Sequence, residues 1–537
     1  MTKQQLGTQT DKTDSPLIVI ASNRGPYKFE ADDEGDYSFS RGSGGLVTAL
    51  AALAEELDVL WVASAISDAD KAWATEQGDK ITEINRIQLR LLISDDSSYN
   101  QYYNMIANPL LWFIQHGLWD MVRNPIIDKE MWTAWEDGYR AVNRQFADTI
   151  ADSVEQILEA NPNRPVVVMP QDYHLYFVPK YLRERLGERV QIQPFVHIPW
   201  PGPDSWRTLP REMRNDLLES LLASNRIGFQ TRRDAFNFVQ TARFYIDGAH
   251  SYGARDSITF KDRKVGAYDY PISVDVDKVN SLVNEPQAKL QKDQLISQIG
   301  DRKLILRVDR VEPSKNIIRG LQAYRTLLED HPEHHGDVTF WMLLVPSRME
   351  VDEYQTYLRD IMAEAGMINA TFSDEFWQPV NVILGNNYPR ALAAMQLYDV
   401  LLVNPIADGM NLVAKEGALV NSRDGVLVLS EHAGVFYELG DYALTVSPFD
   451  IYSTAKAMHE ALIMPRSDRE TRAQKMQSIV RSAGVREWFY NQIQDALTDF
   501  NNHSKKSSTP DTPSTIISDE LSTLSGVSSD ATPTEIE

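Results

Sequence analysis

The sequence predicts an α/β protein built from two doubly wound parallel sheets that face a central cleft. Three observations predict it. Short apolar runs alternate with helix-length stretches in two separate series along the 537 residues, the arrangement of a parallel sheet covered by helices. The alternation lapses between Ser273 and Pro286, in a chain longer than the about 250–300 residues that one core usually supports. The residues that carry the most chemistry, Arg24, Asp172, His197, Arg310, Arg348 and Asp408, each follow a predicted strand. In doubly wound sheets, ligands bind beyond the carboxyl ends of the strands.

Taken in order, residues 1–15 are polar and read as a disordered lead. The first domain is predicted over 16–275, with strands at 17–21, 59–63, 166–169, 192–196 and 227–229 and a Leu/Ala-rich helix over 46–57. The second is predicted over 276–485, with strands at 303–308, 339–345, 380–384, 400–403 and 425–429. A helix over 486–500 is expected to cross back to the first domain. From 501 to 537 Ser, Thr, Pro and Asp dominate and aromatics vanish. Such a segment buries too little apolar surface to offset its ordering entropy, so a disordered tail is expected, with no phosphatase domain after it.

The formal charge is −23. An excess of that sign repels nucleic acid and anionic membranes, and any anionic substrate then needs a local cluster of Arg and Lys. There are no cysteines, which excludes disulfides, thiolate nucleophiles and cysteine-held zinc. No apolar run reaches the about 18 residues of a membrane span, and the N-terminus lacks the apolar core of a signal peptide. A cytoplasmic location is the default expectation. Self-association into a homo-oligomer is left open.

The most informative stretch is Asp408-Gly409-Met410-Asn411-Leu412-Val413-Ala414-Lys415-Glu416. It joins a predicted buried strand to a predicted helix, where free backbone N–H groups and the helix dipole favour an anion. Glu416 is expected about two turns into that helix, within reach of a group held at its start. This layout suits the phosphates and hydroxyls of a nucleotide-sugar. Arg310 and Lys315 flank a proline turn after another strand and can reach one diphosphate, or else are two surface cations. Gly42, Gly44 and Gly45 leave the backbone bare for close approach, although no Walker motif follows. Asp172 in Gln171-Asp172-Tyr173-His174 can accept from a sugar hydroxyl, and His197 in His197-Ile198-Pro199-Trp200-Pro201 can donate to one. An Asp cap and a core histidine are the plain alternatives. Tyr102, Tyr103, Asn104 and Trp112 form an aromatic and amide patch suited to sugar rings or to core packing. No Asp-x-Asp of the kind that holds Mg²⁺ on a sugar nucleotide stands directly after a predicted apolar strand, so no metal and no cofactor are expected, and Arg310, Lys315 and a helix terminus must neutralise a leaving diphosphate.

Together these motifs resemble the trehalose-6-phosphate synthase family, the retaining family 20 glycosyltransferases, over about 17–500. Ser22-Asn23-Arg24, Asp172-Tyr173-His174, His197-Ile198-Pro199, the stretch from Asp408 to Glu416, and Ser430-Glu431-His432-Ala433-Gly434 carry the resemblance. It implies the GT-B fold, two Rossmann-like domains around a cleft, and transfer of glucose from a nucleotide-glucose to glucose 6-phosphate. It implies that Arg310 and Lys315 bind the donor diphosphate and that Glu416 takes the ribose hydroxyls. Asp408, with the backbone of Gly409, Met410, Asn411, Leu412 and Val413, would hold the donor glucose, His197 would contact it, and Gly44 and Gly45 would lie near the phosphates. Arg24, Tyr103 and Arg348 would bind the acceptor phosphate, and Trp112 and Asp172 would line the acceptor sugar.

The chain departs from the family at four places. Gln171 replaces a His, Ser64 an acceptor-side Trp, Trp200 a Phe, and Glu312-Pro313 the usual Asp-Tyr. These changes bear on the acceptor more than on the reaction, so acceptors of the glucosylglycerol phosphate or cyclitol phosphate type stay open. A non-catalytic sugar-phosphate sensor and a hydrolase or epimerase acting on the nucleotide-sugar alone are further readings. No clear nucleophile is present, which favours front-face attack, with a donor phosphate oxygen taking the acceptor proton.

Overall fold

A computed structural model of the chain describes residues 15–31, 37–41, 57–253 and 255–507. The predicted lead up to residue 14, the glycines Gly42, Gly44 and Gly45, residues 46–56 of the predicted helix and the tail beyond 507 lie outside the described residues.

The first sheet is built from β1 (Leu17–Ser22), β4 (Asp58–Ser64), β5 (Thr82–Ile84), β6 (Ile87–Leu92), β7 (Val166–Pro170) and β8 (Gln191–Ile192). Between β1 and β4 a hairpin pairs β2 (Tyr27–Ala31) with β3 (Tyr37–Arg41). The sheet order is β5-β6-β4-β1-β7-β8, parallel except for β5. A second small sheet, β11-β12-β10-β9, continues the first lobe with β9 (Phe195–Val196), β10 (Arg226–Phe229), β11 (Ser257–Phe260) and β12 (Arg263–Asp269). The single strand expected over 192–196 is therefore two. Gln193 donates back to Val168 O and Pro194 O accepts from Gly228 N, so the chain changes sheets at a residue with no N–H of its own.

The second lobe is one parallel sheet of β13 (Lys303–Arg310), β14 (Val338–Val345), β15 (Val380–Leu384), β16 (Val400–Val403), β17 (Val426–Ser430) and β18 (Leu444–Val446), in the order β15-β14-β13-β16-β17-β18. In both lobes the chain starts at the centre, runs to one edge and returns to fill the other side. β1 and β13 are thus the topological switch points, where a crevice opens beyond the strand ends. Arg24 follows β1 and Arg310 ends β13, so both cations stand at switch points.

Strand alternation sorts the core. Leu17, Val19 and Ala21 face one apolar layer of the first lobe. Ile18 and Ile20 face a second layer that runs without a break through Phe195 and Tyr270 to Leu304, Leu306 and Trp341 of the second lobe. The closing helix, Val485–Ser507, runs past the predicted end at 500, because no proline or glycine stops it before Pro510; residues 501–507 are helix and not the start of the tail. Its Trp488 Nε1 donates to Tyr270 O at 2.9 Å, and its Asp495 and Asp499 receive the Arg226 guanidinium at 3.0 and 2.8 Å. No described helix is long and apolar enough to cross a membrane.

Arg226 is nearly buried and ties β10 to the closing helix. Arg226→Ala removes hydrogen bonds to charged groups worth about 1–2 kcal/mol after allowing for the solvent contact both carboxylates keep. A fall of a few degrees in the melting midpoint by calorimetry is expected; an unchanged midpoint would show that the strap carries no load.

Candidate active site in the inter-lobe cleft

Loops beyond strand ends build most of the cleft, and the helical segment that carries Tyr103 and Trp112 completes it. The turn after β16 begins the helix Leu412–Val420, with Asn411 as N-cap: its Oδ1 accepts from Ala414 N at 3.1 Å, in a left-handed conformation at φ 80°. Asp408 is held by its backbone, since its N donates to His432 O and its O accepts from Gly434 N, while Met410 O accepts from Val435 N. Its Oδ2 meets Lys315 Nζ at 2.5 Å and Asn411 Nδ2 at 2.9 Å. Met410 is buried, and Leu412 and Val413 are half-buried. Because the helix starts at Leu412, Glu416 lies one turn inside it, not two as its distance from Asp408 suggested. Glu416 Oε1 accepts from Tyr388 OH at 2.8 Å, and burial pushes its carboxyl up to about 7.

Glu312, read from the sequence only as a departure from the family pattern, proves central. It is fully buried and pairs with Arg310 at 3.1 Å and Arg348 at 3.7 Å, while Ser314 Oγ donates to it at 3.1 Å. Burial works against its charge, but the two guanidiniums outweigh burial and hold the carboxyl down at about 2. Burial likewise opposes the charge on Lys315, and Asp408, Glu312 and Asp309 overcome it, leaving the amine above its ordinary value. Asp309, pushed up to about 6 by burial, lies 3.3 Å from buried Arg307.

On the facing wall, Trp112 lies under both cations of the second lobe, with the Arg348 guanidinium 4.2 Å and the Arg310 guanidinium 5.8 Å from its ring centre, distances at which a cation is attracted to an indole face. Arg348 also donates to Tyr173 OH at 3.0 Å and to Tyr354 OH at 2.5 Å. Tyr103 stacks on His174 at 5.7 Å. Burial raises its phenol, but the charges of Arg348 and Arg24 more than reverse this. Tyr102, by contrast, is core. Asp172 occupies φ 71°, ψ 176°, a region that side chains other than glycine rarely adopt. Its Oδ1 accepts from His197 N at 3.2 Å, and burial lifts its carboxyl to about 6.

The His197 ring is not free to donate to a ligand, contrary to the sequence expectation. Gln230 Oε1 accepts from Ile272 N, which turns its amide N–H₂ toward His197 Nδ1 at 3.2 Å. Gln171 Nε2 donates to Met169 O, which turns its Oε1 toward His197 Nε2 at 2.9 Å. The proton therefore sits on Nε2 and points at Gln171. Burial holds the imidazole neutral, down at about 3. Trp200 also departs from expectation: its fully buried ring stacks on Trp206 at 4.4 Å inside the first lobe and lines no cleft wall. Ser64 is buried at the end of β4 with its hydroxyl 3.4 Å from Asn23 Oδ1.

The model of the family described as "Glycosyltransferase family 20" matches residues 16–498. The chain is similar to the "Probable alpha,alpha-trehalose-phosphate synthase 2" (UDP-forming) of Arabidopsis thaliana, at 30% identity over 88% of this chain, but spans 56% of that protein's length. Two solved structures superpose over nearly their full length. One is described as "Trehalose-6-phosphate from E. coli bound with UDP-2-fluoro glucose", with TM-score 0.76 and 27% identity over 89% of this chain and 98% of that one. The other is a UDP-forming alpha,alpha-trehalose-phosphate synthase from Burkholderia xenovorans in complex with glucose-6-phosphate, with TM-score 0.74 and 28% identity over 90% of this chain and 100% of that one.

A Cβ at position 409 would lie 1.8 Å from His197 O, so no side chain fits there unless the loops part. Gly409→Ala should raise the radius of gyration in small-angle scattering and lower the melting midpoint. Gly366→Ala, on an exposed helix position where a Cβ meets nothing within 4 Å, should leave the radius of gyration unchanged and should not lower the midpoint. Equal behaviour of the two variants would contradict the close approach.

Proposed function

This chain belongs to glycosyltransferase family 20, and from that premise we propose that it transfers glucose, with retention, from a nucleotide-glucose to glucose 6-phosphate, giving trehalose 6-phosphate. The observation that carries the reading is the meeting of two half-sites at the switch points of two sheets. Arg310, Lys315 and the Asp408 turn come from one side; Trp112, Tyr103 and Arg24 come from the other. UDP-glucose is the donor we assign, since the relatives are named UDP-forming.

In this reading Arg310 and Lys315 take the diphosphate, Glu416 the ribose hydroxyls, and Asp408 with the amides of Gly409 to Val413 the donor glucose. Gly44 and Gly45 are assigned to the phosphate side on the motif alone. Arg24, Tyr103 and Arg348 take the acceptor phosphate, and Trp112 and Asp172 line the acceptor sugar. His197 contributes position rather than a proton, because both ring nitrogens are engaged. Charge builds on the departing diphosphate in an oxocarbenium-like transition state, and fixed cations and N–H groups aimed at it are the main source of rate. We assign no metal to this step. The carboxylates beside the cations are already paired, Asp408 with Lys315, Glu312 with Arg310 and Asp309 with Arg307, so the free valence of the pocket is positive. Front-face attack fits a cleft in which Asp172 and Asp408 are both committed to hydrogen bonds. Ser64 favours keeping a second phosphorylated acceptor in view, since a small residue stands where the family has an indole.

Arg310 is half-exposed, so Arg310→Ala should fold normally by circular dichroism. Its kcat/KM for transfer from UDP-glucose to glucose 6-phosphate should fall by about 100–1000-fold, and near-normal turnover would refute the assignment. The same assay run over a panel of sugar and polyol phosphates fixes the acceptor.

The Glu416 carboxyl, raised to about 7, is protonated below that pH and then loses an acceptor for the ribose. Donor KM should therefore fall several-fold from about pH 6 to about pH 8, and Glu416→Gln should flatten the profile. A wild-type donor KM independent of pH would remove Glu416 from the ribose.

A further inference from the structure

Ten histidines occur in the chain, and three of them meet far from the cleft. The helix Ile317–Asp330 ends at His331, a tight turn Pro332–His334 follows, and β14 starts at Val338. His459 comes from the helix Ile451–Ile463, which packs alongside the first. One ligand-capable atom from each of His331, Glu333 and His459 lies within 4.8 Å of the others. The His331 and His459 rings stack 3.5 Å apart and 9° from parallel. His331 Nδ1 is 3.1 Å from Glu333 Oε1, and Nε2 of buried His334 is 3.0 Å from His459 Nδ1. Asp337 N donates to His334 O and its own O accepts from Lys303 N, the first residue of β13. The cluster therefore stands at the amino edge of the second sheet. Arg310 is at the other end of the same strand, about 25 Å away at the usual rise.

We propose that His331, Glu333 and His459 bind one divalent transition-metal ion of the zinc class, which clamps the end of the helix Ile317–Asp330 to the helix Ile451–Ile463. Two imidazoles and one carboxylate with an open fourth position are a donor set that zinc accepts and that magnesium and calcium, which prefer all-oxygen shells, do not. His334 is the outer partner: its contact with Nδ1 of His459 leaves Nε2 of that ring for the metal, the kind of second hydrogen bond that fixes a ligating imidazole. Parallel rings carry their lone pairs side by side, so binding turns one ring about its Cβ–Cγ bond until the lone pairs converge. His331 and Glu333 are 31% and 60% exposed, which gives the turning ring room and the ion a way in. An ion held only by the folded protein stabilises it by mass action. The clamp is therefore structural, and its effect is on the second lobe rather than on the chemistry in the cleft.

The test uses the full chain without an affinity tag, stripped by chelator and titrated with Zn²⁺ by calorimetry in a background of millimolar Mg²⁺, which occupies nonspecific carboxylate sites on this acidic surface. The expected result is one equivalent bound with micromolar or tighter affinity and a melting midpoint raised by several degrees. Joint replacement His331→Ala and His459→Ala should cost at least about tenfold in affinity and abolish the rise. His335→Ala should keep both, since that ring bonds Leu328 O and stacks on Trp377 instead. Glu333→Gln, on an exposed turn, settles the matter if the double variant fails to fold, and a drop in its Zn²⁺ affinity supports the site. Absence of stoichiometric Zn²⁺ binding by the wild-type chain, or undiminished binding by the variants that fold, overturns the proposal.

Discussion

Both halves of the cleft depend on backbone stacked directly on backbone. A Cβ on Gly409 would sit 1.8 Å from His197 O, and a Cβ on Gly434 would sit 1.8 Å from Gly409 O. The loops after β9, β16 and β17 therefore lie in contact at two positions where only glycine fits. This approach puts the Asp408 turn against the first lobe and lets the main chain, rather than a flexible side chain, set where Asp408 points. Lys315 then meets a carboxylate already in place, and the helix that starts at Leu412 aims its unpaired amides into the same space. Main-chain placement of this kind costs no reorganisation when a ligand arrives, which is the property that electrostatic catalysis draws on.

A chain with a formal charge of −23 has to concentrate cations to hold two anions, and cations crowded together repel. Glu312 resolves the conflict. Lying between Arg310 and Arg348, it offsets their mutual repulsion. A lone buried carboxylate would carry a desolvation penalty of several kcal/mol, and the two guanidiniums offset it, as the depressed carboxyl shows. The net charge of the trio remains positive, so an arriving phosphate is attracted to a cluster that is stable while empty. Trp112 supplies the other face: its ring takes Arg348 on one side and stacks on His116 at 4.0 Å on the other, which orients the guanidinium without neutralising it.

Much of this was legible in the sequence where local pattern and tertiary role coincide. The buried parallel strands stood out as apolar runs, and the turn from Asp408 to Asn411 announced itself by a glycine between a strand and a helix. β6 and β12 were missed because Gln88, Arg90, Arg263 and Lys264 interrupt their apolar residues and read as surface. The partners of His197 could not be read, since Gln171 and Gln230 lie 26 and 33 residues away and a glutamine gives no sign of which way its amide turns. Glu312 is hard to read from sequence because acidic residues are rarely buried unless paired, and its partner Arg348 comes from the loop after the neighbouring strand β14. Trp200 sits in the motif that includes His197, yet β9 ends at Val196 and a bend at Ile198 separates the two residues. The motif that reaches the cleft through the His197 backbone therefore sends its indole into the core.

Four of the ten described non-glycine residues with positive φ, Asp172, Asn316, Arg348 and Asn411, lie in the segments that build the cleft. For the two asparagines the left-handed region is mild. For Asp172, at φ 71° and ψ 176°, it costs on the order of 1–3 kcal/mol. The conformation persists because it is fixed at both ends: its N donates to Phe195 O at 2.7 Å and its Oδ1 accepts from His197 N at 3.2 Å. Asp172 thereby accepts from the same segment whose carbonyl meets Gly409. Strained Asp172 on the first-lobe side and Gly409 on the second-lobe side thus bear on one short piece of chain, 195–198, and a shift of that piece displaces both walls of the cleft together.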